Sequence, residues 1–380
     1  MKKKIVYCTP SLYIPGGVER VLTTKANYLA DVAGYDVYIV LTDGKGKEPF
    51  YPLSPQIHII QLDINFEELW GLPFINKIFI YLKKQRIYKL KLKKVLFAIK
   101  PDITISLLRR EINFITSIKD GSVKIGELHV NKNNYRNFES TENNWYKEKF
   151  SQWWLNSFIS KIKKLKYFIV LTNEDKNQWG NLTNLKVIHN PTPYFSNQIS
   201  KLTNKEVIAV GRYTYQKGFD SLLKAWKIVS SHHKDWHLSI YGTGDRTVYQ
   251  DLANKLGISN YCSLNTSIGK SIYEKYNESS IYILSSRFEG LPMVLLEASS
   301  CGLPIVSFSC PCGPKDIITD GVNGYLVEPG NVEALAERIC YLIEHEELRK
   351  EKGKAARNRA EDFREEKIMQ QWVDLFENIT

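Results

Sequence analysis

Short β-branched runs alternate with helix-like segments along the whole chain, and that alternation limits the fold more than any other feature. The runs read KKIVYCTP, DVYIVLT, IHIIQLD, DITISLL, VKIGELHV, YFIVLTN and LKVIHNP, then EVIAVGR, WHLSIYG, YCSLNTS, SIYILSS and PIVSFS. Segments such as GVERVLTTKANYLADVAG and GFDSLLKAWKIVSSHH lie between them. Strand and helix in repetition imply parallel sheets covered by helices on both faces. The rhythm restarts near residue 205, after the turn-rich NPTPYFSNQISKLTNK, which marks a junction at 191–204. The sequence therefore predicts an α/β protein of two Rossmann-like domains, residues 1–200 and 201–365, and a final segment 366–380. In that segment Ile368, Trp372, Leu375 and Phe376 share one helical face, able to cap either domain. Open parallel sheets bind ligands at the carboxyl ends of their strands, so two such sheets facing each other would make a cleft walled by loops of both.

Charge is spread unevenly over this frame. Residues 1–200 hold 30 Lys and Arg against 17 Asp and Glu, whereas residues 201–380 hold 22 against 24. The chain's net charge of +11 thus resides in its first half, which points to an anionic partner there. Of the six cysteines only Cys310 and Cys312 are close, as Cys-Pro-Cys, and no second Cys or His pair answers them with a zinc spacing. The expectation is a reduced, cytoplasmic chain. The basic start MKKKIVYCTP meets Pro10 too soon to carry a signal-peptide core, and no apolar run reaches the length of a membrane span.

The most informative motif is RFEGLPMVLLEASSCGLP, in which Glu289 and Glu297 stand eight positions apart. Pro292 suits a helix's first turn, and an acidic Glu289 just before it suits the macrodipole. Glu297 is harder to place: it falls mid-helix among apolar neighbours, where a carboxylate needs a partner. In AVGRYTYQKGFD, Arg212 and Lys217 project from a strand-to-helix loop and can grip a diphosphate from two sides, although loop cations are often merely solvated. The helix start at Gly290, Leu291, Pro292 and Met293 offers N-terminal amides to the same phosphates. YGTGDR lacks the third glycine of a dinucleotide fingerprint, so Gly242 and Gly244 are read as tight-turn residues near a ligand. In PGGVER, Gly16 and Gly17 permit close backbone approach ahead of a helix; a plain turn with Glu19 as a helix-start charge is the alternative. His129, in GELHVNKNN, falls at a strand's carboxyl end.

Other chemistries lack their signatures. There is no G-x-x-x-x-G-K-[ST], no G-x-S-x-G, and no two aspartates two apart. Without a D-x-D metal site, the charge of a leaving diphosphate would fall to Arg212, Lys217 and helix amides, with no metal ion and no cofactor.

Taken together, GGVERVL, GRYTYQKGFDSLLKAW, SSRFEGLPMVLLEASSCGLPIV and DGVNGYLVEPGN resemble the retaining glycosyltransferases of family 4, whose fold is GT-B. The resemblance runs nearly end to end. It implies two Rossmann-like domains facing across a cleft, the first binding acceptor and the second nucleotide-sugar, with the last helix crossing back onto the first. It implies that Arg212 and Lys217 hold the donor diphosphate, Glu297 the ribose hydroxyls, and Glu289 the donor sugar. Gly16 and Gly17 match the glycine loop near the reaction centre, and His129 matches a histidine of the first domain. The implied reaction moves a sugar with retention from a nucleotide-sugar, a UDP-sugar foremost and GDP-mannose as the alternative, to a saccharide acceptor, lipid-linked in members that build surface polysaccharides.

A different class is a non-enzymatic basic protein on an anionic membrane. In YLKKQRIYKLKLKKVLFAIK, Tyr81, Tyr88, Leu92, Val95 and Ile99 share a helical face, with Lys83, Arg86, Lys93 and Lys94 opposite. In NNWYKEKFSQWWLNSFISKIKKLKYF, Trp153 and Trp154 beside lysines suit a membrane interface or a core. An enzyme that docks peripherally on anionic lipid reconciles the two classes. Nucleic-acid binding is not expected, since no recognised module is present.

Overall fold

The computed structural model describes residues 2–135 and 145–379. The chain divides into two compact units. The first comprises Met1–Leu171, Lys176–Ile188 and Met369–Thr380, and the second Thr172–Asp175 and His189–Ile368. The first two residues of the aromatic stretch, 143 and 144, lie outside the described residues.

In the first unit each β-branched run forms a strand: β1 (Lys4–Thr9), β2 (Asp36–Leu41), β3 (His58–Gln61), β4 (Ile103–Ser106), β5 (Val123–Glu127), β6 (Tyr167–Val170) and β7 (Leu185–Val187). They make one sheet in the order β3-β2-β1-β4-β5-β6-β7, every pair parallel. Helices cover parallel sheets on both faces, so central strands are apolar throughout rather than alternating. Accordingly Ile5, Val6, Tyr7 and Cys8 of β1 are all fully buried.

The second unit holds β8 (Glu206–Val210), β9 (His237–Gly242), β10 (Cys262–Thr266), β11 (Ile281–Leu284), β12 (Ile305–Phe308) and β13 (Gly324–Val327). Their order is β10-β9-β8-β11-β12-β13, again all parallel. The runs read from the sequence do not include β13. Its residues, GYLV, are few and open on a glycine, which ordinarily argues against a strand. Here the glycine is required: a Cβ on Gly324 would stand 2.4 Å from the Ile305 carbonyl oxygen.

The helix Phe219–His232 buries Phe219, Leu222, Leu223, Trp226 and Val229, the spacing that lays one apolar stripe on a sheet. The helix Gly17–Asp31 likewise buries Val21, Leu22, Ala26 and Leu29, but one lysine, Lys25, lies buried among them. Residues 369–380 belong to the first unit, where Trp372, Leu375 and Phe376 are buried. There Phe376 meets Tyr35 edge to face at 6.0 Å, and Glu377 accepts from Lys3 at 2.7 Å and Tyr35 at 2.6 Å.

The long helix Phe74–Ile99 buries Tyr88 and Leu92 fully and leaves Lys83, Arg86, Lys93 and Lys94 exposed. Lys84 turns inward instead, donating to the carbonyls of Ile64 and Asn65 and pairing with Glu68 at 2.8 Å. The two tryptophans separate: Trp154 stacks on Phe158, whereas Trp153 is exposed. Among the described residues no helix is long and apolar enough to cross a membrane.

Candidate active site

In the second unit the loop after β8 and the loop after β11 are fastened to each other. Gly218 has φ of 62°, and a Cβ there would fall 2.1 Å from the Ser285 carbonyl oxygen, so only glycine lets the two backbones meet. Ser285 Oγ donates to the Lys217 carbonyl at 2.8 Å, the Arg287 amide to the Gln216 carbonyl at 2.8 Å, and Gln216 Nε2 to the Phe288 carbonyl at 3.0 Å. Arg287 pairs with Asp220 at 2.7 Å and also donates to the Tyr215 carbonyl, tying the loop to the helix that follows β8. Two loops far apart in sequence thus form one platform.

Lys217 and Glu289 face each other on that platform. Lys217 Nζ is 2.6 Å from Glu289 Oε1, and Ser286 Oγ donates to the same oxygen at 2.6 Å. The lysine's stem packs on Gly211, where a Cβ would meet it at 3.1 Å. Arg212, five residues before Lys217, is exposed. Gly290, Leu291 and Pro292 lead directly into the helix Met293–Ser300. Gly313, at φ of 107°, supports this turn, since a Cβ there would strike Pro292.

Glu297, inside that helix, is buried, and Tyr276 is a partner to it, the phenol hydroxyl donating to Glu297 Oε2 at 3.1 Å. Burial first, and the Glu297 charge second, push the Tyr276 phenol well above its ordinary range, and the Tyr282 phenol is raised by the same two causes. Both therefore stay protonated donors near neutral pH. The glycines of YGTGDR serve packing as well as turning: a Cβ on Gly242 would stand 1.8 Å from the Gly211 carbonyl oxygen. Cys310 and Cys312 form no disulfide, and burial raises both thiols, an environment that makes cysteine inert. Among the described residues no cluster of three or more His, Cys, Asp or Glu could hold a metal ion.

The first unit holds the remaining candidates. Gly16 precedes the helix Gly17–Asp31, and a Cβ on it would collide with the Glu19 carboxylate at 2.0 Å. Among the described residues a Cβ on Gly17 would meet nothing within 4 Å. His129 lies two residues beyond β5, with Nε2 3.2 Å from Glu127 Oε1. Glu127 in turn is paired at 2.5 Å with Lys25 of the helix that Gly17 opens. His129 is thus linked, through Glu127 and Lys25, to the helix that Gly17 opens. Motif and spacing do not single out Lys25, Glu127, Tyr276 or Ser286. Of these only Lys25 carries a local signal, a cation on the apolar face shared by Leu22 and Leu29.

Two parallel-sheet Rossmann-like units, with a cation–carboxylate platform at the strand ends of the second, define the GT-B class of glycosyltransferases. Residues 193–359 match the family "Glycosyl transferases group 1". The chain is 30% identical, over 98% of its length and 99% of the relative's, to an uncharacterized glycosyltransferase of Haemophilus influenzae. It is 34% identical to the amylovoran biosynthesis glycosyltransferase AmsD of Erwinia amylovora, over 58% of this chain and 67% of that one. Among solved structures it is similar to a mutant of Staphylococcus aureus TarM in complex with fondaparinux, alpha-GlcNAc-glycerol and UDP. That match has a TM-score of 0.74 at 17% identity, and covers 98% of this chain and 99% of TarM. The chain belongs to the glycosyl transferases group 1 family and is a glycosyltransferase.

Proposed function

We propose that this glycosyltransferase is a metal-independent, retaining member of family 4 that moves a sugar from a UDP-sugar to a saccharide acceptor in surface-polysaccharide biosynthesis. The observation that carries the reading is the Lys217–Glu289 pair, with an exposed Arg212 earlier in the same strand-to-helix loop. A lysine set beside a helix-start loop can meet a diphosphate, and in this reading Arg212 meets it as well. Glu289 is then adjacent to the donor sugar, and buried Glu297 with Tyr276 is suited to ribose hydroxyls. UDP in the TarM complex and polysaccharide synthesis in the name of AmsD support the donor and the product class.

In the proposed reaction the bond from the anomeric carbon to the diphosphate oxygen breaks first, through an oxocarbenium-like state. Negative charge grows on the leaving diphosphate, and Arg212, Lys217 and the amides before Met293 stabilise it. The acceptor hydroxyl attacks from the same face and passes its proton to the leaving phosphate, so configuration is retained without a covalent sugar–enzyme intermediate. In this reading Gly16, Gly17 and His129 of the first unit serve the same reaction.

The test is a panel of UDP- and GDP-sugars in thermal-shift and transfer assays with EDTA present. A ligand at 100 times its dissociation constant stabilises by about 2.7 kcal/mol. Stabilisation and turnover with a UDP-sugar in EDTA, giving a product of unchanged anomeric configuration, is the expected result. Activity restored only by manganese, an inverted product, or response to GDP-mannose alone would each overturn a stated part.

Docking on anionic membrane is a second element, favoured by the outer face of Phe74–Ile99. Phe79, Leu82, Leu90 and Phe97 recur along one exposed stripe, with Arg86 and Lys93 between them. The helix carries no acidic residue. Exposed aromatics interleaved with cations are the make-up of an interfacial helix, and a lipid-linked acceptor would be met at that surface, on the cytoplasmic side.

A further inference from the structure

Lys25, Glu127 and His129 form a buried polar cluster in the first unit, and the donor chemistry above leaves two of the three without a role. The Lys25 and Glu127 side chains are each 1% exposed. Trp372 of the last helix lies over Lys25, its ring centroid 3.6 Å from Nζ, and the Tyr7 ring stands 5.9 Å away. Glu127 Oε1 receives Lys25 at 2.5 Å and lies 3.2 Å from His129 Nε2. The second contact is off line for a hydrogen bond. Glu127 Oε2, His129 Nε2 and the Tyr7 hydroxyl are buried with no hydrogen-bond partner among the described residues. The groups facing Glu127 are thus Lys25 from its helix, His129 from the loop after β5, and Tyr7 from β1.

Such a cluster is a poor way to gain stability. Apolar residues of the same volume commonly do as well as a buried ion pair or better. Its cost is offset if it fixes something, and the neighbour that Glu127 Oε1 reaches besides Lys25 is His129, at 3.2 Å. Burial opposes charge on Glu127, but Lys25 first and His129 second outweigh it and hold the carboxyl down at about 2. Glu127 is therefore an anion throughout the working range, pinned by Lys25 on one side and adjacent to the imidazole on the other.

We propose that Lys25 and Glu127 are positioning residues that hold His129 at the carboxyl end of β5 for the transfer step, and that Trp372 seals this device from water. The proposal rests on the reading of His129 as a residue that serves the transfer reaction. Lys25 sits two turns into the helix that Gly17 opens, so the same pair also ties the glycine loop's helix to the His129 loop.

A double-mutant cycle on the full chain tests it, with kcat and donor KM measured separately for Glu127→Gln, His129→Asn and both together. A residue acting only through His129 loses its effect once His129 is gone. The expected result is a kcat lowered about tenfold or more by Glu127→Gln with donor KM nearly unchanged, and a double variant no slower than His129→Asn. Where Glu127→Gln does not fold, Glu127→Asp carries the same cycle: it keeps the charge beside Lys25 and draws the oxygen back from the imidazole. Multiplying losses in the double variant, or full kcat in the Glu127 variants, would overturn the proposal. Full turnover by His129→Asn would also overturn it, by removing His129 from the chemistry, while leaving glycosyl transfer from the nucleotide-sugar intact. Absence of transfer from any nucleotide-sugar by the unaltered chain would instead remove the functional reading beneath it.

Discussion

Lys217 Nζ stands 2.6 Å from Glu289 Oε1, so the residue proposed for the diphosphate and the one proposed for the sugar are directly paired. Their substitution should separate the roles. Glu289→Gln keeps the shape and an acceptor for Ser286 but releases Lys217, so UDP should bind as well as before or more tightly while turnover falls. Lys217→Met leaves Glu289 beside the incoming phosphates without its cation, and should weaken UDP binding and lower kcat together. Loss of one such charge-stabilising donor costs about 3–4 kcal/mol in comparable sites. Calorimetric UDP titration of both variants is the check, and equal weakening by the two would contradict the split.

Tyr276 supplies a donor to the buried Glu297 carboxylate, at 3.1 Å. Tyr276→Phe removes that hydroxyl and one hydrogen bond to a buried charge, at a cost of about 1–3 kcal/mol. If Glu297 binds ribose, that loss should appear as weaker binding of UDP and uridine alike, with inorganic diphosphate unaffected. Uridine affinity unchanged in the variant would place Glu297 elsewhere in the mechanism.

Gly16 and Gly17 are adjacent yet differently constrained, which allows fold and function to be told apart. Gly16→Ala must displace the Glu19 carboxylate. Gly17→Ala meets nothing within 4 Å among the described residues and replaces a helical glycine, a change that typically stabilises by about 0.5–1 kcal/mol. The expectation is a Gly17→Ala protein with equal or higher melting temperature and reduced turnover, because the new methyl occupies the space a donor sugar would need. Full activity in a folded Gly17→Ala variant would remove the glycine loop from the reaction centre.

The sheets were legible because parallel strands are apolar on both faces and stand out as runs; among the described residues, twelve of the thirteen strands were readable in this way. The exception, β13, begins with the glycine that its neighbour's carbonyl requires. Arg212, Lys217 and Glu289 were legible as candidates through the motifs that carry the family resemblance, and Glu297 also because a carboxylate inside an apolar helix violates local expectation. Tyr276 and Glu127 were not, because a tyrosine in a helix and a glutamate at a strand end break no local rule. Their partners come from elements far away in sequence, and only the fold brings Lys25 to Glu127 across 102 positions.

Glu127 also gives the first unit an acid-sensitive component. Its carboxyl is held at about 2 in the folded chain, below its ordinary value of 4.5, since Lys25 and His129 outweigh burial. A depressed acid contributes stability that is complete above the ordinary value and disappears as pH falls through the folded one. The window is therefore pH 4.5 down to about 2. Urea unfolding of the unaltered chain and of Glu127→Gln across that window should show the gap between them narrowing as pH falls. A gap that stays constant would mean that the Glu127 carboxyl is not held below its ordinary value in the fold.

The outer stripe of Phe74–Ile99 lets the charged and the apolar contributions to the proposed membrane attachment be tested separately. Phe79 and Leu90 are 69% and 68% exposed, whereas Lys84, at 13%, is engaged with Glu68 and two carbonyls. Lys84 should therefore be left in place when the surface is neutralised. Cations near an anionic bilayer contribute about 1 kcal/mol each, and the apolar stripe adds a component that salt does not screen. Replacing Lys83, Arg86, Lys93 and Lys94 with Gln should abolish the dependence on anionic lipid and most of the salt sensitivity in liposome sedimentation. Phe79→Ser with Leu90→Ser should weaken attachment at every salt concentration while leaving donor hydrolysis unchanged, because neither side chain contributes to the buried core of its unit. If the unaltered chain fails to sediment with anionic liposomes at low salt, the stripe covers something other than lipid, and the basic half meets its anionic partner in the acceptor.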